Sequence, residues 1–403
     1  MGSASSVNDR IDAMVDDMLA AGMSRKDICA RIRFKANDEL VDDYPSSEFK
    51  NLIRAHVLIQ MFSRGEEPPS RKKVIEPPNS IDDVVDLIAR SKNVLVLTGA
   101  GVSTSCGLPD FRSKDGVYAI VGKDSRIKEP TDLFNIEFFR TNVQPFYDFA
   151  KELWPGNVKP SPCHRFIRAL ERNKKLLRNY TQNIDTLESV CGIKHIIQCH
   201  GSFDTATCTS CKFKCDGKEI SSSVLKGKLP YCPKCSEKEK LDDDREDDTD
   251  PSFTKGVMKP DITFFGEALP DLFHKNIKVD IPKCDLLIVI GTSLQVAPVS
   301  NIIKMVDKDV PQILINREIV AEPHEFDIEL LGNCDDVVRV LAKRLEWTID
   351  DDEEEEEDKD EPEFRHNKKR PSQFLFPGSE DFSAAEDDDD DGDVVVGGDD
   401  DGK

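Results

Sequence analysis

Four cysteines in two close pairs, Cys208-x-x-Cys211 and Cys232-x-x-Cys235, are the sharpest chemical signal in the sequence. Twenty residues separate the pairs, a spacing at which two knuckles bring four thiolates around one tetrahedral Zn²⁺. Four cysteine ligands leave no open position for water or substrate, so the implied metal is structural and does no chemistry. Disulfides are the competing reading, and a reducing compartment disfavours them. Cys215 is a spare thiol close by. Cys106, Cys163, Cys191 and Cys199 read as small core residues rather than redox sensors.

His200 ends a β-rich run in the context QCHGS. Histidine is the side chain whose ordinary pKa suits general-base work near neutral pH. His164, in PCHRF, reads as a packing or helix-capping residue, and the other five histidines show no ligand spacing. Three loops have the make-up of nucleotide contacts. Gly99, Ala100 and Gly101 follow a strand directly, and their small size lets backbone N–H groups approach a phosphate. That signal is weak alone, because GAG is not the full GxGxxG and glycines also close ordinary turns. Gly291, Thr292 and Ser293 form a second small, hydroxyl-bearing loop behind the run LLIVI. Asn316, Arg317 and Glu318 form a third, with side chains suited to ribose and adenosine; Glu318 has the acceptor that ribose hydroxyls need.

The elements that must position these residues are legible from periodicity. Residues 1–64 read as a helical N-terminal domain, with Ile11, Met14, Val15, Met18 and Leu19 at helical spacing, and Ser24 and Ser47 as caps for two further helices. Residues 65–79 read as a linker, whose RKK at 71–73 is a short basic cluster suggestive of nuclear targeting. From Ser80 the pattern is α/β: Ser80 with Asp83 opens a helix as a capping box, and NVLVLT, LLRNYT, HIIQCH, CDLLIVI and QILIN read as strands. Each strand ends in a polar or glycine-rich cluster, and ligands of open α/β sheets bind beyond the carboxyl ends of strands. The core is expected over 80–347, with a zinc module near 203–240. An acidic tail over 348–403 carries one apolar island, PSQFLFPGSEDF at 371–382, read as a segment that docks on the core as an extra strand.

The net charge of -23 is concentrated outside the expected core. Residues 350–403 carry 24 acidic and 6 basic side chains, and 242–250 carry 7 against 1, which leaves the remainder near neutrality. Such blocks repel and solubilise, and they do not exclude a basic substrate peptide. No apolar run reaches the ~18 residues of a membrane span. The first residues show neither a basic nor an apolar leader pattern, so no secretory signal is expected.

GAGVSTSCGLPDFRS (99–113), TQNIDTLE (181–188), HGS (200–202), the two CxxC pairs, KPDITFFGE (259–267) and GTSLQVAP (291–298) occur in sirtuin order. The chain resembles the nuclear class I branch of the sirtuin (Sir2-like) deacetylases, densely over 80–347. The resemblance implies a Rossmann-like parallel-sheet NAD-binding domain with a zinc-ribbon module, an N-terminal regulatory helical domain and a C-terminal segment that pairs with the core. It implies NAD-dependent deacetylation of lysine, in which His200 is general base on the ribose hydroxyls and the products are nicotinamide, O-acetyl-ADP-ribose and free lysine.

By the same resemblance Asn183, also catalytic, lines the nicotinamide pocket with Asp185, Ile184 and Asp110. Gln182 contacts ribose, Phe111 shields the reacting carbon, and Arg112 orders its loop. Thr292 and Ser293 touch phosphate and ribose, Asn316 and Glu318 hold the adenosine ribose, and Cys334 in GNCD contacts adenine. Thr263, Phe264, Phe265, Gly266 and Glu267 form the substrate strand, with Thr263 beside the acyl-lysine tunnel where Val is usual. Ala268 and Ala297 stand where close relatives carry polar residues. Acetyl-lysine proteins such as histones or transcription factors are the implied partners, with no direct nucleic-acid or membrane contact and nuclear, partly cytoplasmic, placement. Mono-ADP-ribosyl transfer or NAD glycohydrolysis with the same residues is the alternative activity.

Overall fold

Among the described residues, eleven strands occur in chain order: β1 Val94–Thr98, β2 Leu176–Thr181, β3 Ile196–Gln198, β4 Gly201–Cys208, β5 Lys214–Asp216, β6 Met258–Ile262, β7 Leu286–Ile290, β8 Gln312–Asn316, β9 Ile328–Leu331, β10 Arg365–His366 and β11 Gln373–Leu375. The computed structural model describes residues 7–32, 46–64, 71–114, 116–154, 158–239, 256–349 and 361–384. The acidic run 242–250, linker residues 65–70 and the acidic stretches 350–360 and 385–403 lie outside the described residues. Met1–Thr98, Arg165–Asn179 and His274–Lys403 form one compact unit, and Gly99–His164 with Tyr180–Phe273 form another.

In the first unit the sheet order is β10-β11-β9-β8-β7-β1-β2. β1 runs parallel to β7, β7 to β8 and β8 to β9. The run LLIVI is apolar at every position because it is buried on both faces, as parallel strands under helices must be. The helix Ile81–Arg90 starts where expected: Asp83 Oδ2 accepts from the backbone N–H groups of Asn79 at 2.7 Å and Ser80 at 3.3 Å. The apolar island of the tail adds β11 parallel to β9, with Phe374 opposite Leu330, and β10 antiparallel to β11. Phe374, Leu375 and Phe376 are buried there.

The N-terminal helices are Val7–Ala20, Arg25–Arg31 and Ser46–Ser63. They pack around Ile11, Val15, Ile28, Cys29, Phe49, Leu52 and Ile53. Ser24 caps the second, its Oγ accepting from the Asp27 N–H at 3.1 Å. The third helix begins at Ser46 and includes Ser47, expected as its cap, in its first turn. Arg54 bonds both Asp12 of the first helix and Asp307, tying the bundle to the loop ahead of β8. Arg71 is 7% exposed and ion-paired to buried Asp327, and Lys72 pairs with Glu325.

In the second unit β4 pairs antiparallel with both β5 and β6, and the helix Gly217–Val224 follows β5. The third strand of this sheet, β6, comes after the acidic run in sequence and pairs with the other edge of β4. Phe134, Phe139, Phe146, Tyr147 and Phe264 form an edge-to-face aromatic cluster at the centre of this unit.

Candidate functional site

His200 stands between β3 and β4, and both ends of its position are fixed by backbone. The Cys199 N–H donates to the Thr181 carbonyl at 2.9 Å, and the Thr263 N–H donates to the His200 carbonyl at 2.7 Å. The next residue, Gly201, has φ +68, and a Cβ there would lie 1.9 Å from the carbonyl oxygen of Asp261. Only glycine allows β4 and β6 to approach this closely beside the histidine. The ring is fixed too: Nδ1 lies 2.9 Å from the Gln182 carbonyl. A carbonyl can only accept, so Nδ1 carries the proton and Nε2 is the basic nitrogen. Nε2 is buried and has no hydrogen-bond partner within the protein. Burial lowers the His200 pKa, and the bond to Gln182 opposes this only in part. A neutral imidazole with one unsatisfied acceptor is what a general base requires.

Asn183, Ile184 and Asp185 are all buried. Ser103 Oγ donates to Asp185 Oδ2 at 2.7 Å, and Asn183 Nδ2 donates to Ser103 Oγ at 3.3 Å. The other carboxylate oxygen of Asp185 accepts from the Leu187 N–H at 3.0 Å, so this residue caps the turn Leu187–Val190 as well as facing Ser103. Thr186, between them, takes a left-handed conformation with φ +67. Ser103 is the residue that sequence reasoning missed. It lies in the GAGVS motif, and a hydroxyl placed just behind two glycines was the available signal.

Gly99, Ala100 and Gly101 lead into a tight turn, with the Ser103 N–H on the Ala100 carbonyl at 2.9 Å. Asp110 accepts the N–H groups of Arg112 and Ser113 at 2.8 and 2.7 Å, which folds the loop so that Phe111 packs on Phe134 and Arg112 lies over Tyr118.

Ahead of the segment 263–267, β6 ends at Ile262, and the chain turns immediately after it. Phe264 is buried in the aromatic cluster. Phe265 already uses both backbone groups, donating to the Phe134 carbonyl at 2.7 Å and accepting from the Ile136 N–H at 3.0 Å. The Glu267 carboxylate accepts from the Phe264 N–H at 2.8 Å and from Lys259 Nζ at 2.9 Å. Phe264, Phe265 and Glu267 thus hold the turn, and Phe265, Gly266 and Glu267 are exposed on it. Among the described residues, no backbone hydrogen bond engages Gly266. Lys259, unassigned from sequence, is the clamp: its Nζ also donates to the Ile262 carbonyl at 2.7 Å and sits 4.1 Å from the centre of the Phe264 ring.

In the first unit, β7 and β8 end side by side. The Gly291 N–H donates to the Ile315 carbonyl at 2.9 Å, and Thr292 Oγ1 accepts from the Leu294 N–H at 3.1 Å, closing the loop that carries Ser293. Asn316 Nδ2 donates to the Glu318 carbonyl at 2.9 Å, Arg317 Nε donates to Asn333 Oδ1 at 3.2 Å, and Cys334 Sγ donates to the Ile315 carbonyl at 3.6 Å. Glu318 itself is exposed.

The four expected metal ligands converge. Their sulfurs lie within 4.8 Å of one another, with Cys208–Cys235 at 3.7 Å and Cys211–Cys232 at 3.6 Å. Zn–S bonds of about 2.3 Å in a tetrahedron put sulfurs about 3.8 Å apart, so the donor set fits zinc. None of the four is in a disulfide. Gly256, with φ +64, completes the cradle: a Cβ there would lie 2.6 Å from the Cys235 sulfur and 3.2 Å from that of Cys208.

Residues 99–298 match the Sir2 family. The chain is 49% identical over 341 residues to the NAD-dependent deacetylase sir2D of Dictyostelium discoideum, covering 83% of this chain and 60% of that protein. It is 47% identical over 309 residues to the NAD-dependent protein deacetylase sirtuin-1 of Homo sapiens, covering 76% of this chain and 39% of that protein. The chain therefore spans less than two thirds of the length of these relatives. A solved structure described as "Structural Basis for the Mechanism and Regulation of Sir2 Enzymes" superposes with a TM-score of 0.56 at 28% identity, over 66% of this chain and 97% of that one.

Proposed function

Since the chain belongs to the Sir2 family, we propose that it is an NAD-dependent protein-lysine deacetylase in which His200 is the general base. The observation that carries this reading is the histidine itself, with Nδ1–H on the Gln182 carbonyl and a buried, unpartnered Nε2. The relatives named above are called NAD-dependent deacetylases, and no observation favours ADP-ribosyl transfer or glycohydrolysis instead.

NAD, when bound, supplies a ribose carbon with nicotinamide as leaving group and an acceptor hydroxyl for the acetyl group. The protein's part is to orient, to exclude water and to move one proton. Asn183 points its NH₂ at Ser103, so its carbonyl oxygen is the group left to accept from the nicotinamide amide. Asp185 is held by Ser103 and the Leu187 N–H, beside Ile184. Phe111, braced by Phe134, shields the reacting carbon, while Asp110 and Arg112 shape that loop and Gln182 meets the ribose. Nε2 of His200 takes the proton from the ribose hydroxyl. On the first unit, Gly291, Thr292 and Ser293 serve phosphate and ribose, Asn316 and Glu318 the adenosine ribose, and Cys334 the adenine. The backbone of Gly99, Ala100 and Gly101 adds further donors.

Substrate is an acetyl-lysine protein, and Gly266 is the backbone left for pairing an extended peptide. Thr263 flanks the acyl chain. Relatives whose names include histone deacetylase support histones among the substrates and action in the nucleus. The four cysteines hold one zinc ion, which keeps β4 to β6 folded and takes no part in the proton transfer.

The test is nicotinamide release with and without an acetyl-lysine peptide, comparing wild type with His200→Ala. Peptide-dependent release that the substitution abolishes is expected. Release indifferent to the peptide, or unaltered by the substitution, overturns the reading.

A further inference from the structure

Lys259 is buried at the end of β6, yet its Nζ serves three acceptors: the Ile262 carbonyl at 2.7 Å, Glu267 Oε2 at 2.9 Å and, more weakly, the Pro260 carbonyl at 3.4 Å. A neutral amine has two N–H groups and an ammonium has three. The Nζ also lies 4.1 Å from the centre of the Phe264 ring, whose face attracts cations. The surroundings are therefore those of a charged ammonium. The Glu267 oxygen that it meets accepts from the Phe264 N–H as well, at 2.8 Å. One side chain thus joins β6, the aromatic cluster and Glu267, and Gly266, at φ +91, lies inside the loop so closed.

Glu267 stands next to Gly266 and keeps 31% of its side chain exposed, on the rim of a cavity of about 930 Å³. The other two carboxylates lining that cavity have cations of their own, Glu137 in Arg140 and Asp261 in Lys214 at 2.9 Å. Without Lys259, the Glu267 charge would be the unbalanced one, directly beside the backbone left for pairing. We infer that Lys259 is a positioning and specificity-determining residue, which closes the turn so that Gly266 is presented ready-made to an extended peptide and cancels the Glu267 charge so that flanking charges on the peptide matter little. A turn ordered in advance spares the peptide the cost of ordering it, so the loss of Lys259 should appear in the KM for peptide. The His200 ring is held independently, by the Gln182 carbonyl, so kcat at saturating peptide should survive.

This inference rests on the proposed deacetylase reading and on Gly266 as the pairing backbone. Its test is nicotinamide release by the full chain with two acetyl-lysine peptides that differ only in having arginine or glutamate on both sides of the acetyl-lysine. Wild type should distinguish them by less than about threefold in KM. Lys259→Met should raise both KM values by roughly tenfold with kcat retained, and shift their ratio by roughly fivefold in favour of the arginine peptide. Glu267→Gln keeps an acceptor for Lys259 and for the Phe264 N–H but removes the negative charge, so it should shift the ratio the other way. The double variant should return the ratio to that of wild type. Lys259→Met with a wild-type KM, or with its loss in kcat, overturns the positioning role. A strong preference in wild type, or single variants whose ratios move in the same direction, overturns the charge role. Should Lys259→Met fail to fold, the opposite shift in Glu267→Gln decides alone, and a wild-type ratio there overturns the inference. These outcomes in an active enzyme leave the deacetylase reading standing, whereas a wild type without peptide-dependent release overturns that reading and this inference with it.

Discussion

The backbone N–H of Thr263 donates to the carbonyl oxygen of His200 at 2.7 Å, so the residue proposed to flank the acyl chain and the proposed base share one hydrogen bond. A shift in either strand end moves both. The side chain of His200 is held from the opposite direction by the Gln182 carbonyl. Position and tautomer of the base are thus set by backbone atoms, which side-chain substitutions leave in place. His200→Ala should then remove the base with little change of fold, and the loss in kcat/KM should be about 10²- to 10⁴-fold. The pH profile gives a finer check. With its pKa lowered by burial, His200 stays neutral through pH 7, so its limb of the profile should lie below pH 6.5. A half-maximal point above pH 7 would show that another group is the base.

Gly201 is where the site and the metal-binding sheet depend on one another. Alanine there places a methyl carbon 1.9 Å from the Asp261 carbonyl oxygen at a φ of +68. The left-handed conformation alone costs about 1–2 kcal/mol for an L-residue, and the clash adds to it by driving β4 from β6. Gly201→Ala should lower the denaturation midpoint and also reduce turnover, because His200 is the adjacent residue. Full activity with native stability in this variant would mean that the strands can part without consequence for the base.

Removal of metal should act on stability first. Sulfurs 3.6–3.7 Å apart are already at the separation that tetrahedral zinc imposes. Apparent zinc-binding free energies in small zinc modules are on the order of 10 kcal/mol, and there they are folding free energy. Chelation, or Cys208→Ser, should therefore unfold the strands β4 to β6, with activity lost in parallel and restored by zinc before the chain aggregates. Metal-free protein with an unchanged melting profile would remove the structural role.

The metal ligands and His200 were legible in sequence because spacing and context mark them; in the structure the four sulfurs converge, and His200 has the tautomer a base needs. Partners supplied by distant segments were not legible. Ser103 joins Asp185 across 82 positions, and nothing local to either residue encodes that bond. The local partners of 263–267 were not legible for a related reason: the Phe265 backbone bonds residues 134 and 136, and Glu267 bonds Lys259. Within RKK, the burial of Arg71 was not legible, because it depends on Asp327, 256 positions away.

That last pair gives the sharpest stability prediction outside the site. Asp327 is fully buried, and its carboxylate accepts from Arg71 at 2.6 Å, from the Val74 N–H at 2.6 Å and from the Gln312 N–H at 2.8 Å. Arg71 in turn donates to the carbonyls of Glu325 and Val310 at 3.0 and 2.9 Å. One carboxylate therefore ties the segment ahead of the core to the start of β8. Asp327→Ala strands a guanidinium that is 7% exposed, along with three backbone donors, from Val74, Ile75 and Gln312, and should cost about 3–5 kcal/mol. Arg71→Met should cost less, because the backbone donors still satisfy part of the carboxylate. The double variant should lose clearly less stability than the two single losses added together, as coupled partners do. Simple additivity in urea denaturation would mean that the two charges act independently, and that the strap is held by its backbone alone.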